Sequence, residues 1–497
     1  MNSSASPRSL SWTSLFVLTV LAALAEAAIL FPDAMLPTTR FAAALTWDSS
    51  KHGYPAPETL AGDPATPEAM TPAAAPPAPA APAARRGAAR PITGRVLDAA
   101  NGAPLRGASV WAGPTEIVTG ADGRFTTEPL DPGTTVWVKT PGYERRKLVA
   151  GEASEVTVKL APHAIRAAYL TYYGVADRGI RQRVLDLVER TELNAVVIDI
   201  KGDRGLIPYR TTVPAAVESG ALGPVNIKDF DEQLAAWKAR GIYTIARIVA
   251  FKDNVRANAR PDLAVIDTRT GKPWIDRENL AWLDPFREEN WDYIIAVSKE
   301  AALKGFDEIQ FDYVRFPTDG KLSAARYAQP NSAATRLPAI ASFLAKARRE
   351  LGPTGAFLAA DIFGYTAFNS NDTDIGQRIE EVSVSLDYIC PMVYPSGYHL
   401  GIPGVRNPVV NPYEIVKESV RLTRQRSQNP AAQVRPWLQD FKDYAFDKRI
   451  FGPGEVRAQI RGSDDGGGSG WMLWNPRNDY TAAALRPKTS AISKSSQ

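Results

Sequence analysis

Eight short apolar runs, each followed by an amphipathic stretch, constrain this chain more than any other feature. They read "RAAYLTYYG", "AVVIDIKGD", "YTIARIVAF", "FDEIQFDYVRF", "FLAADIFGY", "YICPMVYPSGY", "VRPWLQDF" and "GWMLWNP". Between them lie segments of helical period such as "IRQRVLDLVERT", "FDEQLAAWKARG", "LPAIASFLAKARREL" and "PYEIVKESVRLTRQ". Strand and helix alternating eight times over about 320 residues predict an eight-stranded parallel β/α (TIM) barrel. An open doubly wound sheet would carry a glycine-rich loop after its first strand, and "TYYGVADRG" is not one. The loops agree with a barrel. Helix-to-strand links are brief ("TELN", "GIY", "KGFD"), whereas strand-to-helix links are long at 202–226, 252–285, 318–335 and 396–411. Elaboration confined to one end predicts a shaped mouth there.

The first 160 residues have another grammar. Arg8, an apolar run from Leu15 to Ala25 and small residues at Ala25 and Ala27 follow the order of an export signal, taken as residues 1–28. Ile29, Leu30 and Phe31 prolong the apolarity, so a membrane tether is the competing reading and an extracytoplasmic location the expectation. Residues 29–90 are rich in Pro and Ala, the composition of an extended spacer without a core. Residues 91–161 change to short alternating runs ("ITGRVLD", "TTVWVKT", "SEVTVKL") separated by Asn101-Gly102, Asp122-Gly123, Pro132-Gly133 and Pro141-Gly142. That pattern predicts a small all-β sandwich. Its "GRVLDAANGAPLRGASVWA" and "TPGYERRKL" segments resemble the carboxypeptidase regulatory-like domain, which implies an accessory module used for packing or spacing. The barrel is expected over 164–485, with a short tail at 486–497.

Composition narrows the chemistry. Cys390 is the only cysteine and the three histidines are His52, His163 and His399, which argues against zinc sites built from several imidazoles or thiolates. The net charge of +4 forms no basic stripe, so nucleic acid is not an expected partner. Neither a cofactor nor a metal is expected.

Acids fall at the strand ends instead: Asp199 and Asp203 near the second, Asp312 near the fourth, Asp361 near the fifth and Asp440 near the seventh. Period-two alternation groups Asp312 with Gln310 and Val314, and Asp361 with Phe357 and Ala359, on the barrel interior. Carboxylates and aromatics with almost no histidine suit glycosidic cleavage, which needs one acid to protonate the leaving oxygen and one carboxylate to attack or to activate water. Asp312 and Asp361, on adjacent strands, are the expected catalytic pair, in a spacing that leans toward retention. The expected substrate-binding set is Asp199, Lys201, Asp203, Arg247, Tyr313, Arg315, Tyr394, Tyr398, Gln439, Asp440, Trp474 and Asn475. Its rings suit a pyranose face and its polar groups suit hydroxyls.

The runs "VVIDIKGDRG", "TIARIVAFKD", "GFDEIQFDYVRFP", "AADIFGY", "DYICPMVYPSGY", "RPWLQDF" and "GWMLWNP" together resemble a glycoside hydrolase family first catalogued as a bacterial domain of unknown function. That resemblance spans nearly all of 165–481. It implies a barrel acting on a polysaccharide or cell-wall glycan, with the nucleophile at Asp312 and the proton donor at Asp361, Asp440 or Asp199. Two other readings compete: a non-catalytic carbohydrate-binding barrel, and a magnesium-dependent lyase or isomerase with Asp199, Asp312 and Asp361 on the metal and Lys201 as base.

Overall fold

A computed structural model describes residues 88–488. The export signal and all but the last three residues of the Pro/Ala-rich segment lie outside the described residues. Among the described residues, no helix is long and apolar enough to cross a membrane.

The first seven strands are β1 (Thr93–Asp98), β2 (Ser109–Ala112), β3 (Thr115–Val118), β4 (Arg124–Thr126), β5 (Thr135–Lys139), β6 (Arg146–Val149) and β7 (Glu155–Leu160). They make two sheets, ordered β4-β1-β7 and β3-β2-β5-β6. Alternate residues of facing strands, among them Val96, Val110, Val136, Val138 and Leu160, fill the space between as a core of their own. This is the sandwich that the alternating pattern predicts.

Eleven further strands follow: β8 (Ile165–Leu170), β9 (Ala195–Lys201), β10 (Tyr243–Val249), β11 (Ile266–Asp267), β12 (Glu308–Asp312), β13 (Ala325–Arg326), β14 (Phe357–Phe363), β15 (Tyr388–Val393), β16 (Gln433–Val434), β17 (Trp437–Gln439) and β18 (Gly470–Trp474). β11 and β13 pair with each other in the long mouth loops. The rest form one parallel sheet ordered β14-β12-β10-β9-β8-β18-β17-β15-β16, closed by a β14–β15 pairing. Since β16 and β17 are successive pieces of one strand against β15, the result is an eight-stranded barrel. Helices such as Arg178–Arg190, Glu288–Lys304, Ala333–Leu351 and Pro412–Arg426 surround it. Strand parity divides the apolar residues as expected. Val196, Ile198, Phe311, Ile362 and Trp471 face the helices, while Ala195, Val197, Phe357, Ala359, Cys390 and Trp437 face inward. The loop at 202–226 is less irregular than its composition suggests, because Pro214–Ser219 forms a short helix started by its proline.

The sandwich is docked on the end of the barrel opposite the mouth. Lys139 of β5 donates to Asp387 Oδ2 at 2.8 Å and to the Ala356 carbonyl at 2.5 Å, and these residues immediately precede β15 and β14. Arg145 reaches Asp307 Oδ1, just before β12, at 2.9 Å. The Gly142 N–H donates to the Tyr388 hydroxyl at 2.8 Å. Two indoles seal the contact. A Cβ at Gly352 would lie 2.1 Å from the Trp111 ring, and one at Gly355 would lie 2.2 Å from the Trp137 ring, so both positions need glycine for this approach.

Candidate active site

Strand register brings the acids together. Arg247 of β10 lies directly across from Asp199 of β9. On the other side, β10 aligns Val249 with Asp312 of β12. The β12–β14 register runs Gln310 against Ala359 and Phe311 against Ala360, so Asp312 and Asp361 come next on their strands. Arg247 bridges the first two acids. Its Nη1 donates to Asp199 Oδ1 at 2.6 Å, and its Nη2 and Nε donate to Asp312 Oδ2 at 2.5 and 3.0 Å. Tyr169, at the end of β8, donates its hydroxyl to the other Asp199 oxygen at 2.5 Å. Burial raises the Asp199 carboxyl, and Arg247 opposes it. A guanidinium between two carboxylates is what keeps such a desolvated cluster affordable.

Asp361 is different. Its Oδ1 accepts the Trp437 indole N–H at 2.7 Å, while its Oδ2 is buried and has no partner among the described residues. Burial first, and the Asp312 charge second, push its carboxyl well above the usual carboxylate range. Desolvation and a neighbouring negative charge both favour the protonated form of a carboxyl. The neighbours therefore stand in unlike surroundings, Asp312 tied to a cation and Asp361 with one oxygen that has no hydrogen-bond partner among the described residues. The Tyr313 N–H donates to Asp312 Oδ1 at 2.6 Å, and Tyr313 has a left-handed φ of 49°. That strained backbone aims an N–H at the carboxylate.

Both carboxyls are recessed, Asp312 being 5% exposed and Asp361 1%. The rings of Tyr313, Tyr394 and Trp474 near this cluster are half-buried. Trp474 stacks on Tyr169 at 4.1 Å, and the Arg247 guanidinium lies 5.3 Å from the Trp474 ring centre. Burial, then Asp361 and Asp312, raise the Tyr394 hydroxyl well above its ordinary value. A second charged group borders Tyr313. Lys252 lies 5.1 Å from its ring and donates to Glu278 Oε2 at 2.7 Å, with Asp276 Oδ2 at 3.1 Å. Burial raises the Glu278 carboxyl, and Lys252 opposes the shift.

Several expected contact residues are supports instead. Lys201 is fully buried, donating to the Val249 carbonyl at 2.6 Å and paired with Asp253 at 2.9 Å on the helix side of β9, so its ammonium is committed to structural partners. Tyr398 is packed in the outer core with its hydroxyl 2.9 Å from that of Ser419. Gln439 is buried, its amide spent on Ser396 and the Phe441 carbonyl. Both Asp440 oxygens accept from Thr481, at 2.6 and 2.9 Å, which ties down the last strand's exit and leaves no oxygen free. Asn475 bonds the Asp440 and Asp479 carbonyls. Arg315 is buried between the rings of Tyr313, Trp282 and Phe363, each 4.7 to 5.1 Å away, and donates to the Phe316 carbonyl. Asp203, Tyr313, Tyr394 and Trp474 retain partial exposure near the cluster. Tyr169, Trp437 as a donor, and Glu278 escaped the sequence reading. Tyr169 shares the inward parity of Ile165 and Ala167 at a strand end and was findable, whereas Glu278 sits in an aperiodic loop with no such signal.

With this geometry in view, similarity adds a family. Residues 167–480 match the model of the family described as "Putative glycosyl hydrolase domain", and residues 91–161 match "Carboxypeptidase regulatory-like domain". No curated protein matches the chain. Among solved structures, a hypothetical protein from Ruminiclostridium thermocellum ATCC 27405 is 39% identical over 39% of this chain and 96% of its own, with a TM-score of 0.35. The PgaB (BpsB) glycoside hydrolase domain from Bordetella bronchiseptica is 16% identical, covering 64% of this chain and 95% of its own, with a TM-score of 0.47. The α-galactosidase TtGalA from Thermus thermophilus is 16% identical, covering 74% and 72%, with a TM-score of 0.39. The assignment rests on the family model, which spans the whole barrel: this chain belongs to the family of that glycosyl hydrolase domain.

Proposed function

We propose that the protein is a glycoside hydrolase that cleaves a polysaccharide with retention, Asp312 acting as nucleophile and Asp361 as acid and then base. The observation that carries this reading is the unlike surroundings of the two neighbouring carboxyls. Asp312 is ion-paired with Arg247, while Asp361 has a raised pKa and an oxygen without a partner among the described residues. In the first step Asp312 attacks the anomeric carbon, the glycosidic C–O bond breaks and the Asp361 proton passes to the leaving oxygen. In the second, Asp361, now a carboxylate, takes a proton from water as that water attacks the glycosyl–Asp312 ester and frees the nucleophile. Arg247 and the Tyr313 N–H orient Asp312 in both steps.

One observation favours a non-catalytic carbohydrate-binding barrel: Asp361 is only 1% exposed. The magnesium reading has less support, because Arg247 already stands where a cation would sit between Asp199 and Asp312. The test is a screen of cell-wall glycans and exopolysaccharides for new reducing ends, with Asp312→Asn alongside. Products from the native chain alone support the hydrolase; identical traces from both remove Asp312 from catalysis. Export of the chain belongs to the same proposal, and fractionation of the producing cells tests it.

A further inference from the structure

A second recess, of about 640 Å³, opens at the same end of the barrel as the carboxylates, between the loops that follow β14 and β15. Its lining includes the rings of Tyr365 and Phe368, the amides of Asn369 and Asn371, and Ser370. A single acid and a single base, Asp374 and Arg406, are also part of the wall. Aromatic surface combined with neutral hydrogen-bonding groups and balanced charge suits an uncharged polyhydroxyl ligand better than a phosphate or a peptide. The volume falls within the ~300–1,000 Å³ of ordinary ligand sites.

The recess is preorganised. Thr373 and Asp374 both hold left-handed backbone, at φ 54° and 56°. For a β-branched residue this is a costly conformation that persists only where its surroundings enforce it. Here the buried Asp372 carboxylate enforces it. It accepts from the Asp374 and Gly376 N–H groups at 3.2 Å and from Arg336 at 2.7 and 3.1 Å. Asn371 Oδ1 accepts the Thr373 N–H at 3.1 Å. On the other wall the Tyr365 hydroxyl donates to the Gly401 carbonyl at 3.1 Å and accepts the Leu400 N–H at 3.1 Å.

The same loop is tied to the candidate active site. The buried Gln377 side chain donates to the Asp361 carbonyl at 3.2 Å and accepts the Phe363 N–H at 3.0 Å. The Phe316 N–H donates to the Ile375 carbonyl at 3.0 Å, joining the loop to the exit of β12. One wall of the recess is thus fastened to the strands that carry Asp312 and Asp361.

We propose that this recess is a glycan-binding site that takes a neutral oligosaccharide segment and holds the polysaccharide chain beside the carboxylates. The inference rests on the hydrolase reading for the identity of the chain, but its residues are separate from those of the acid pair. The test uses the full chain carrying Asp312→Asn, so that ligand is not consumed, against an array of neutral α- and β-linked pentasaccharides, followed by calorimetric titration of the best binder. Phe368→Ala is expected to weaken that binding roughly tenfold. Asn369→Ala, which removes a lining amide that takes no part in holding the strained loop, is expected to weaken it several-fold while the melting curve keeps its shape. Titrations of both variants that match their parent, or an array with no binder, overturn the proposal. Native hydrolysis abolished by Asp312→Asn, with both recess variants binding like the parent, removes the recess alone. Binding that depends on Phe368, with no product released by the native chain, keeps the recess and removes the hydrolase.

Discussion

The Trp437 indole N–H meets Asp361 Oδ1 at 2.7 Å past the intervening β15, while Oδ2 of the same carboxyl has no partner among the described residues. A hydrogen bond to the charged form lowers a carboxyl's pKa, so this indole restrains an upward shift that burial and Asp312 impose. Trp437→Phe is expected to raise the Asp361 pKa further. The alkaline limb of a kcat/KM profile should then move to higher pH, whereas a purely structural loss would lower the rate without moving the limb.

Asp312→Asn preserves shape and removes the charge. Release of reducing ends should fall at least about a thousandfold. Circular dichroism melts should show the fold retained, because Arg247 keeps Asp199 as a partner.

Arg247→Met strands two buried carboxylates at once. Loss of one partner from a buried ion pair costs about 3–5 kcal/mol, and urea denaturation should report a loss of that order. Adding Asp199→Asn should restore part of it, since one of the stranded charges is then gone.

Asp361 also sets a pH dependence of stability. A carboxyl with a folded pKa above its unfolded one binds its proton more tightly in the native state. Its contribution is intact below the ordinary value of 3.8 and is lost as pH rises from there through the folded pKa. Asp361→Asn cannot lose a proton, so its urea midpoint should fall less than that of the native chain as pH rises from 4 to 8.

At the closed end of the barrel, Lys139→Met leaves Asp387 with the longer 3.3 Å contact to Arg348 as its one remaining ion pair among the described residues, beside the Leu358 N–H at 2.8 Å. A destabilisation of roughly 3 kcal/mol is expected, seen as a lower denaturation midpoint. The sandwich and barrel should still unfold together, because their contact is buried rather than a loose hinge.

The barrel was legible because its information is local and repeated. Each strand's parity, such as Phe311 and Ile362 out and Asp312 and Asp361 in, follows from a period of two that no tertiary contact has to supply. The acids could be placed for the same reason. What failed was reading contact from polarity. Lys201 has the alternation of an inward residue, but the strand register shifts between Arg247 and Ile248, and its ammonium ends among the helices with Asp253. Gln439, Asp440 and Asn475 are polar residues at strand ends, as ligand-binding groups would be. Their hydrogen bonds instead go to loop backbone and Thr481, a demand set by loops whose course no periodicity reveals. The partnership of Trp437 with Asp361 likewise depends on the strand order β14-β15-β17, which brings positions 76 residues apart into contact.

The sandwich plugs the base of the barrel, with Trp111 and Trp137 pressed onto Gly352 and Gly355. The described chain therefore begins in the unit that sits at the pole remote from the acids. Were the chain tethered ahead of the sandwich, the candidate active site would face away from the tether, and a long polymer could be engaged without the support standing in its path.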